Sequence, residues 1–446
     1  MANLDEYQRA AAETTDGSFL VLAGPGSGKT TTLLTRVKNL MDKGHIAPEK
    51  ICLVTFTRDA AEEMSLRFFA QMEGAHPPVG FFTFHSLFFS IIKEEYGLKN
   101  EDILMGKMKK AFMKEALRLS FPEKKTDSMF FSDLSKEISI FKNGGERSSL
   151  SVFSEEDFHT YVNTLDELKK KYKKTDFDDM QYEAKELLSS SDKILRKWRD
   201  RYSHYMVDEA QDMNRIQYDI LKLLTIEHGN VFLVGDDDQS IYSFRGADPT
   251  VLMRFEREYK GCRKLYLKKN YRSDALIVRK ASNLIKNNRI RFEKEYIPES
   301  KEEGRISYTV YKNEKEEAED ILRRILSNCD GDSPGKETAV LFRNNYQANA
   351  ISCLLKSEGI KNVSLHTFHG AKGLEWDTVY ILDVNEGITP SKKVKNEAAL
   401  EEERRMFYVA MTRARHRLFL CAIKRSNNTL LYPSRYLLEL SDKTSS

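Results

Sequence analysis

The chain has 446 residues, of which 40% are hydrophobic and 31% are charged, and the charges nearly cancel to a net +3. This length predicts about two to four globular domains. Because the net charge is small, it does not by itself indicate a nucleic-acid partner. The five cysteines are widely spaced without a C-x2-C pair, so neither a disulfide framework nor a zinc site is indicated. No apolar stretch approaches about 18 residues and acidic residues stand near the N-terminus, so we expect a cytoplasmic protein without a signal peptide or membrane contact.

The stretch from Ser18 to Thr35 combines an apolar strand, a glycine-rich loop and the start of a helix. Glycines let backbone N–H groups face a polyphosphate, Lys29 can reach the β and γ phosphates, and the Thr30 hydroxyl can ligate Mg²⁺. A purely structural turn is disfavoured because strand, loop, Lys-Thr and helix stand in the required order. The pattern therefore predicts a P-loop nucleotide-binding domain. Its loop residues are Gly24, Pro25, Gly26, Ser27 and Gly28.

The flanking segments extend this α/β pattern. Upstream, Asn3 to Ala12 predicts a short helix carrying Gln8, which is either an adenine contact or an ordinary surface glutamine. Lys50 to Phe56 predicts a strand that leads into a second helix, and Gly80 to Phe89 predicts a buried strand that runs into another helix.

A lysine-rich, helical segment from Glu94 to Asp178 then interrupts the alternation of strands and helices. We interpret it as a mainly helical inserted subdomain. Within it, Leu168 to Lys174 either grips phosphates or forms a solvated helix face, and the pattern leaves both readings open.

Two later strands end in polar residues typical of nucleotide hydrolysis. After the strand that begins at His204, Asp208 can hold Mg²⁺ while Glu209 accepts a proton from the attacking water. After Val231 to Val234, the amide of Gln239 can sense a γ-phosphate. The following Tyr242, Phe244 and Arg245 can stack bases and hold a nucleic-acid backbone, with core packing as the alternative for Phe244.

A second parallel sheet is predicted further along the chain, where strand-like stretches alternate with helical patterns. These stretches are Arg305 to Tyr311, Glu337 to Phe342, Thr378 to Asp383 and Leu418 to Ile423.

The ordered motifs resemble those of the UvrD/Rep/PcrA group of superfamily 1 DNA helicases. The resemblance rests on the phosphate loop and, after it, on TFTRDAAEEM, TFH, VDEAQD, GDDDQSIYSFRGA, KKNYRS, HTFHGAKGLEW and EERRMFYVAMTRA. It implies an α/β fold of two RecA-like P-loop domains with parallel sheets that sandwich ATP, plus a mainly helical inserted subdomain. Closure of the cleft over stacked bases would then move the chain along single-stranded DNA with 3′-to-5′ polarity.

The resemblance also implies residue roles. Catalysis is expected from Lys29, Glu209, Gln239 and two arginine fingers, Arg272 and Arg413. The nucleotide is expected to contact the P-loop together with Gln8, Thr31, Tyr271 and Glu375, and Mg²⁺ is expected at Thr30 and Asp208. The expected DNA contacts are Phe56, His85, Tyr242, Phe244, Arg245 and His369.

The chain departs from the family pattern at several points. Thr31 stands where the family often has arginine, Phe244 where tryptophan is usual, and Ala210 where an aromatic residue is common. In the family a helical domain called 2B precedes the T-x-H-x-A-K-G motif, but here Ile360 to Leu365 alone make this connection. Because the sequence ends soon after the last motif, we also expect no further C-terminal module. We therefore expect a minimal motor.

The predicted domains are 1–93 and 179–263 for the first RecA-like domain, 94–178 for the helical insertion and 264–446 for the second RecA-like domain without 2B. The predicted function is an ATP-dependent translocase or helicase in DNA repair or replication maintenance. We expect a monomer that acts on single-stranded DNA and single-strand to duplex junctions, with a protein loading partner as an option. The alternative is a nucleotide-switched DNA-binding ATPase subunit of a larger nuclease or defence complex, and RNA is a lesser alternative as the track.

Overall fold

The computed structural model describes residues 4–127, 129–143, 152–329, 337–426 and 429–441. The chain divides into two compact units. The first consists of Met1–Val21, Thr30–Gly235 and Tyr242–Leu265, and the second of Leu22–Lys29, Asp236–Ile241 and Tyr266–Ser446. None of the helices in the described ranges combines the length and hydrophobicity that a bilayer crossing requires.

The first unit is built on a six-stranded sheet with the order β3-β2-β4-β5-β1-β6. Its strands are β1 (Ser18–Ala23), β2 (Ile51–Thr55), β3 (Gly80–Thr83), β4 (His204–Val207), β5 (Val231–Gly235) and β6 (Arg263–Leu267). The helices up to this point of the chain are α1 (Glu6–Ala12), α2 (Lys29–Asp42), α3 (Arg58–Gln71), α4 (Phe84–Tyr96), α5 (Gly106–Ser120), α6 (Phe130–Lys142), α7 (Glu155–Lys171), α8 (Phe177–Ser190), α9 (Asp192–Arg201), α10 (Arg215–Thr225) and α11 (Val251–Glu258).

The central strands of this sheet are apolar runs that are buried along their whole length. Such runs are typical of parallel strands covered on both faces, and β2 pairs in parallel with β3 and β4. The parallel register aligns Thr55 with Thr83 and Val54 with Val207, so the residues that follow these strands lie at one edge of the sheet. The prediction of a buried strand from Gly80 was wrong in its burial, because β3 is an edge strand and is only half-buried.

The predicted helical insertion has a hydrophobic core of its own, formed by α5, α6 and α7. The Tyr161 hydroxyl of α7 donates to the carbonyl of Met113 in α5 at 2.9 Å. Beside this core, Lys169 is buried and donates to Asp176 at 2.9 Å and to Asp179 at 2.6 Å. Lys169 therefore forms internal ion pairs with these two aspartates, and it is not available to bind a phosphate. Its neighbours Lys170, Lys171 and Lys173 are exposed.

The predicted boundaries at 93/94 and 178/179 fall inside α4 and α8. The division into domains stays a prediction.

The second unit has a five-stranded sheet with the order β11-β10-β12-β13-β9, and all its pairs are parallel. Its strands, with those of two small sheets, are β7 (Lys269–Asn270), β8 (Ile297–Pro298), β9 (Arg305–Tyr311), β10 (Thr338–Phe342), β11 (Val363–Thr367), β12 (Trp376–Ile381), β13 (Ala414–Ile423), β14 (Arg425–Ser426) and β15 (Thr429–Leu430). Its helices are α12 (Ala275–Ile285), α13 (Glu314–Cys329), α14 (Asn349–Ser357), α15 (Glu397–Met411) and α16 (Tyr436–Glu439).

The four strands predicted for this sheet are present, and the fold class predicted from the sequence is confirmed. Strand β11 was missed, because its half-buried sequence at the sheet edge lacks an apolar run. The segment from Ile360 to Leu365, predicted as a mere connection, thus includes the start of this strand. Residues 358–362 are all that separates α14 from β11.

A buried carboxylate follows β12. Asp383 is 3% exposed and has φ +48, and its Oδ2 accepts a hydrogen bond from Gln347 at 2.8 Å. Within the described ranges, Oδ1 of Asp383 has no hydrogen-bond partner. Burial raises the pKa of Asp383 to about 6, and it raises the pKa of the neighbouring Glu317 well above its usual range. The second unit therefore retains buried carboxyl groups that favour the protonated form.

We expect Asp383→Asn to stabilise the protein at pH 8 by about 1–3 kcal/mol and to have little effect near pH 4. A carboxyl whose folded pKa is raised contributes stability below its unfolded pKa, and this contribution is lost as pH rises through about 6. Asparagine keeps the acceptor for Gln347 and tolerates a positive φ. Urea unfolding at the two pH values measures the difference. Glu319→Gln, which neutralises an exposed carboxylate, is the control. An Asp383→Asn variant that is less stable than the unchanged protein at pH 8 would contradict the prediction.

Candidate functional site

The glycine-rich loop lies between β1 and α2. Gly26 and Gly28 have φ values of +65 and +79, which glycine adopts without a steric penalty. Ser27 Oγ donates to the carbonyl of Gly24 at 2.8 Å, and Lys29 Nζ donates to the carbonyl of Ala23 at 3.4 Å. The loop is thus closed by its own polar groups ahead of the N-terminus of α2.

The segment before α12 packs directly against this loop. The backbone N–H of Tyr271 donates to the carbonyl of Gly26 at 2.9 Å, and Asn270 Nδ2 donates to the carbonyl of Pro25 at 2.9 Å. A Cβ added at Gly26 would lie 2.4 Å from Cβ of Arg272, so only glycine permits this approach. The structure therefore brings Tyr271 and Arg272 to the loop. Asn270 was not predicted, although it stands within the quoted KKNYRS motif.

Glu375 is the partner of two arginines. The Nε of Arg272 donates to Glu375 Oε2, and Arg415 donates to Oε1 at 3.1 and 3.3 Å. Burial alone would raise the pKa of Glu375, but the two guanidinium groups hold it below its usual range. Glu375 is therefore an ionised acceptor that binds the predicted arginine finger Arg272. Tyr271, the residue before Arg272, is 46% exposed.

Gln239 and Arg413 are in direct contact. The amide Nε2 of Gln239 donates to Asp236 at 2.7 Å, and its Oε1 accepts from Arg413 at 3.2 Å. Lys372 Nζ donates to the Gln239 carbonyl at 2.9 Å. Arg413 is only 2% exposed, and it also donates to backbone carbonyls of Val409 and Leu374. The amide predicted to sense a γ-phosphate thus holds the second predicted arginine finger.

Three buried aspartates before Gln239 form a cluster that the sequence did not predict. The residues are Asp236, Asp237 and Asp238, each at most 2% exposed. Lys294, itself fully buried, contacts all three carboxylates, and Arg291 binds Asp238 through two hydrogen bonds of 2.9 and 2.8 Å. Burial alone would lower the pKa of Lys294, but the three carboxylates raise it well above its usual value. The sequence signal that could have predicted this cluster is the run of three aspartates in GDDDQ directly after a buried strand. Buried carboxylates require cationic partners, so such a run indicates that lysine or arginine lies nearby.

Asp208 and Glu209 follow β4 in the first unit. The backbone N–H of Asp208 donates to the carbonyl of Val54 at 3.0 Å, and its Oδ1 accepts from the N–H of Glu209 at 3.0 Å. Glu209 has φ +50, and its Oε2 accepts from Gln211 Nε2 at 2.5 Å. A left-handed glutamate costs about 1–2 kcal/mol, and such strain is typical of functional sites.

Two of the predicted DNA residues contact other aromatic rings at the carboxyl edge of the first sheet. Phe56 lies 5.1 Å from Phe84 between ring centroids, and His85 lies 5.4 Å from Phe177. Burial lowers the pKa of His85, which favours the neutral ring near pH 7. Phe177 is 44% exposed and was not predicted, because a single aromatic residue at the start of a helix carries no sequence signal.

Tyr242 and Phe244 form a second aromatic pair with ring centroids 6.0 Å apart. Phe244 is 52% exposed, so the alternative of core packing is wrong. The side chain of Arg245 lies outside the part of the chain that the structure describes. His369 follows β11 and is half-buried.

Three predicted nucleotide contacts lie near the helix starts of the first unit. Gln8 is 5% exposed and forms a capping box with Asp5, with distances of 2.7 and 3.2 Å, so it is not an ordinary surface glutamine. Thr30 and Thr31 lie in the first turn of α2 and are half-buried.

Comparison with known proteins identifies the family. The UvrD/REP helicase N-terminal domain matches residues 4–260, and the UvrD-like helicase C-terminal domain matches residues 265–362 and 355–425. The putative ATP-dependent DNA helicase YjcD of Bacillus subtilis is 33% identical over 359 residues, which cover 78% of this chain and 47% of YjcD. The ATP-dependent DNA helicase Rep of Buchnera aphidicola subsp. Schizaphis graminum is 33% identical over 365 residues, covering 78% of this chain and 54% of Rep.

The ATP-dependent DNA helicase PcrA of Bacillus subtilis is 32% identical over 372 residues, which cover 81% of this chain and 50% of PcrA. The chain thus spans about half the length of the curated relatives it matches. The resemblance noted from the motifs is confirmed, and the chain belongs to the UvrD/Rep helicase family.

Proposed function

We propose that this chain is an ATP-driven DNA motor that moves along single-stranded DNA with 3′-to-5′ polarity. The observation that carries the proposal is the grouping of both predicted arginine fingers with nucleotide-sensing elements in one unit. Arg272 packs on the glycine loop at Gly26, and Arg413 binds the Gln239 amide. The relatives named as ATP-dependent DNA helicases support ATP as the fuel and DNA as the track.

The glycine loop and Lys29 are proposed to bind the phosphates of ATP. Positive φ values at Gly26 and Gly28 turn the loop as anion-binding backbones require. Arg272 and Arg413 then stabilise the charge that develops on the transferred phosphoryl group. Tyr271, whose ring is 46% exposed, is available to stack on the base, and Gln8 and Glu375 are proposed to contact adenine and ribose.

Thr30 and Asp208 are the proposed Mg²⁺ ligands. One hydroxyl and one carboxylate fit this ion, because Mg²⁺ in nucleotide sites takes few protein oxygens and completes its shell with substrate phosphates and water. When bound, Mg²⁺ neutralises phosphate charge. Asp208 is 5% exposed and is oriented by hydrogen bonds at its own N–H and at Oδ1, so the carboxylate is held in place.

Glu209 is the proposed general base. Its strained backbone and its bond to Gln211 hold the carboxylate in one orientation, as a base that accepts a proton from water requires.

The exposed aromatic residues are proposed to stack successive bases. Phe244 is half exposed beside Tyr242, and Phe177 is exposed beside His85. Base stacking on such rings contributes about 1–3 kcal/mol per base and tolerates any sequence. We therefore propose little sequence preference, with Phe177 added to the DNA contacts Phe56, His85, Tyr242, Phe244, Arg245 and His369.

We further propose that translocation exceeds processive unwinding and that the motor serves DNA repair or replication maintenance. The short connection of residues 358–362 between α14 and β11 supports a second RecA-like domain without an inserted 2B domain. Steady-state ATPase with and without single-stranded DNA, followed by the arrival of ATPase bursts at a labelled 5′ end, tests the proposal.

We expect strong stimulation by DNA and length-dependent arrival. Phe244→Ala should raise the DNA concentration needed for half-maximal stimulation by about 5-fold to 150-fold, because it removes one stacking ring. Tyr432→Ala, which removes a ring that is 66% exposed in the second unit and is not among the proposed DNA contacts, is the control. Stimulation without arrival at the 5′ end would favour the nucleotide-switched subunit, and hydrolysis that ignores DNA would overturn the proposal.

A further inference from the structure

The buried aspartate cluster is connected to the proposed hydrolysis machinery through one residue. Asp236 uses its two carboxylate oxygens for different partners. Oδ1 accepts from Lys294 Nζ at 2.6 Å and, over longer distances, from the N–H of Asp238 at 3.2 Å and the hydroxyl of Tyr296 at 3.4 Å. Oδ2 accepts from the amide of Gln239 at 2.7 Å. Because the Nε2 of Gln239 is bound to Asp236, its Oε1 is the atom left to receive Arg413, at 3.2 Å. The orientation of one amide therefore depends on Asp236.

We propose that Lys294 is a positioning residue for ATP hydrolysis, because it anchors Asp236, which in turn fixes the Gln239 amide against Arg413. The inference rests on the proposed function and deepens it by adding a residue that does not itself touch the nucleotide. Lys294 is suited to this role, since its side chain is 1% exposed and its ammonium group contacts all three carboxylates.

The segment that carries Lys294 also contacts the glycine loop. Tyr296 lies against Gly24, where an added Cβ would be 2.4 Å from the tyrosine ring. Ile297 and Pro298 form β8, which pairs with β7 immediately before Tyr271 and Arg272. A shift of this segment would therefore move the contacts that position the Gln239 amide and those that pack against the glycine loop.

The alternative is that Lys294 only neutralises the buried carboxylates. A variant of Arg291 distinguishes this alternative from a positioning role. Arg291 is a cation of the same cluster, but its two hydrogen bonds go to Asp238, and Asp238 does not bind the Gln239 side chain. Loss of Arg291 removes as much charge from the cluster as loss of Lys294. Only loss of Lys294 removes the charged donor from Asp236 Oδ1, which then keeps the Asp238 N–H at 3.2 Å and the Tyr296 hydroxyl at 3.4 Å.

The test is steady-state ATPase of the full chain at saturating single-stranded DNA. We expect Lys294→Met to lower kcat by about 100-fold, as expected for misplacement of a reacting group by about 1 Å, with KM for ATP within about threefold. Arg291→Met should keep kcat within about threefold even if it lowers the melting temperature. Equal loss of kcat in both variants would overturn the proposal.

Asp236→Asn provides a second, isosteric variant if Lys294→Met does not fold. Asparagine that presents its oxygen to Lys294 turns its own N–H₂ toward Gln239 Nε2, so the Gln239 amide must flip and face Arg413 with a donor. We expect the same loss of kcat at unchanged KM.

A double variant tests the route through Gln239. If Lys294 acts through this amide, Gln239→Ala combined with Lys294→Met, or with Asp236→Asn, should have a kcat within about twofold of Gln239→Ala alone. Multiplicative losses would overturn the proposal. If the unchanged protein shows no DNA-stimulated ATPase, the proposed function fails and this inference fails with it. An active protein with a harmless Lys294→Met or Asp236→Asn overturns the inference alone.

Discussion

Arg413→Ala is expected to lower kcat for DNA-stimulated ATP hydrolysis by about 10³-fold to 10⁵-fold, the usual contribution of an arginine finger. In the structure, the Arg413 guanidinium binds the Gln239 Oε1 at 3.2 Å and two backbone carbonyls, so its position is set by the fold. A preorganised cation stabilises developing phosphate charge without reorganisation during the reaction. Affinity for a nonhydrolysable ATP analogue should change by less than about tenfold, since the finger acts mainly in the transition state.

Removal of a buried arginine also costs stability, so this prediction needs a matched control. Arg404 lies on α15, is 4% exposed, and binds Glu439 at 2.6 and 3.0 Å. Arg404→Ala should lower the melting temperature, while kcat per folded molecule stays near that of the unchanged protein. Circular dichroism and ATPase on the same samples separate the two effects. Equal loss of kcat in Arg404→Ala and Arg413→Ala would show that Arg413 is structural.

Glu209→Gln is expected to lower kcat by about 10²-fold to 10⁴-fold and to leave ATP and DNA binding nearly unchanged. Glutamine keeps the shape of the side chain and an oxygen that accepts from Gln211, but it cannot accept a proton from water. The backbone at φ +50 makes alanine a poorer choice, because it would lose this hydrogen bond while retaining the strained conformation.

The measurement is single-turnover hydrolysis with excess protein, which separates the chemical step from product release. The matched control is Glu227→Gln, an exposed glutamate of the first unit whose side chain is 69% exposed. We expect this control to hydrolyse ATP at the unchanged rate. A Glu209→Gln variant that retains more than about one tenth of the single-turnover rate would exclude Glu209 as the general base.

The sequence was most informative where function depends on local backbone. The strand, glycine loop and Lys-Thr of the P-loop stand within a single stretch, and their geometry is set by glycine at positive φ and by the start of α2. The strands before Asp208 and Gln239 are apolar runs bounded by polar residues, so their existence could be predicted. Roles for these residues stay predictions that the experiments above address.

The pattern was least informative at sheet edges. Strand β11 is half-buried at a sheet edge and has no apolar run to reveal it. The apolar sequence of β3 predicted the strand, but not its half-burial at the edge of the first sheet. Burial of Gln8 and exposure of Phe244 could not be decided either, because both depend on which elements cover them.

By itself, the sequence determined the family, the α/β class of both sheets and the order of the motifs, because each follows from short stretches whose residues dictate their own backbone. Tertiary structure alone decided that Lys294 meets Asp236, that Phe177 lies against His85 and that Arg415 shares Glu375 with Arg272. These partners are distant in the chain, and a contact between distant residues depends on strand order and helix packing. Charge and ring type make such contacts favourable, but only the fold determines which pairs form.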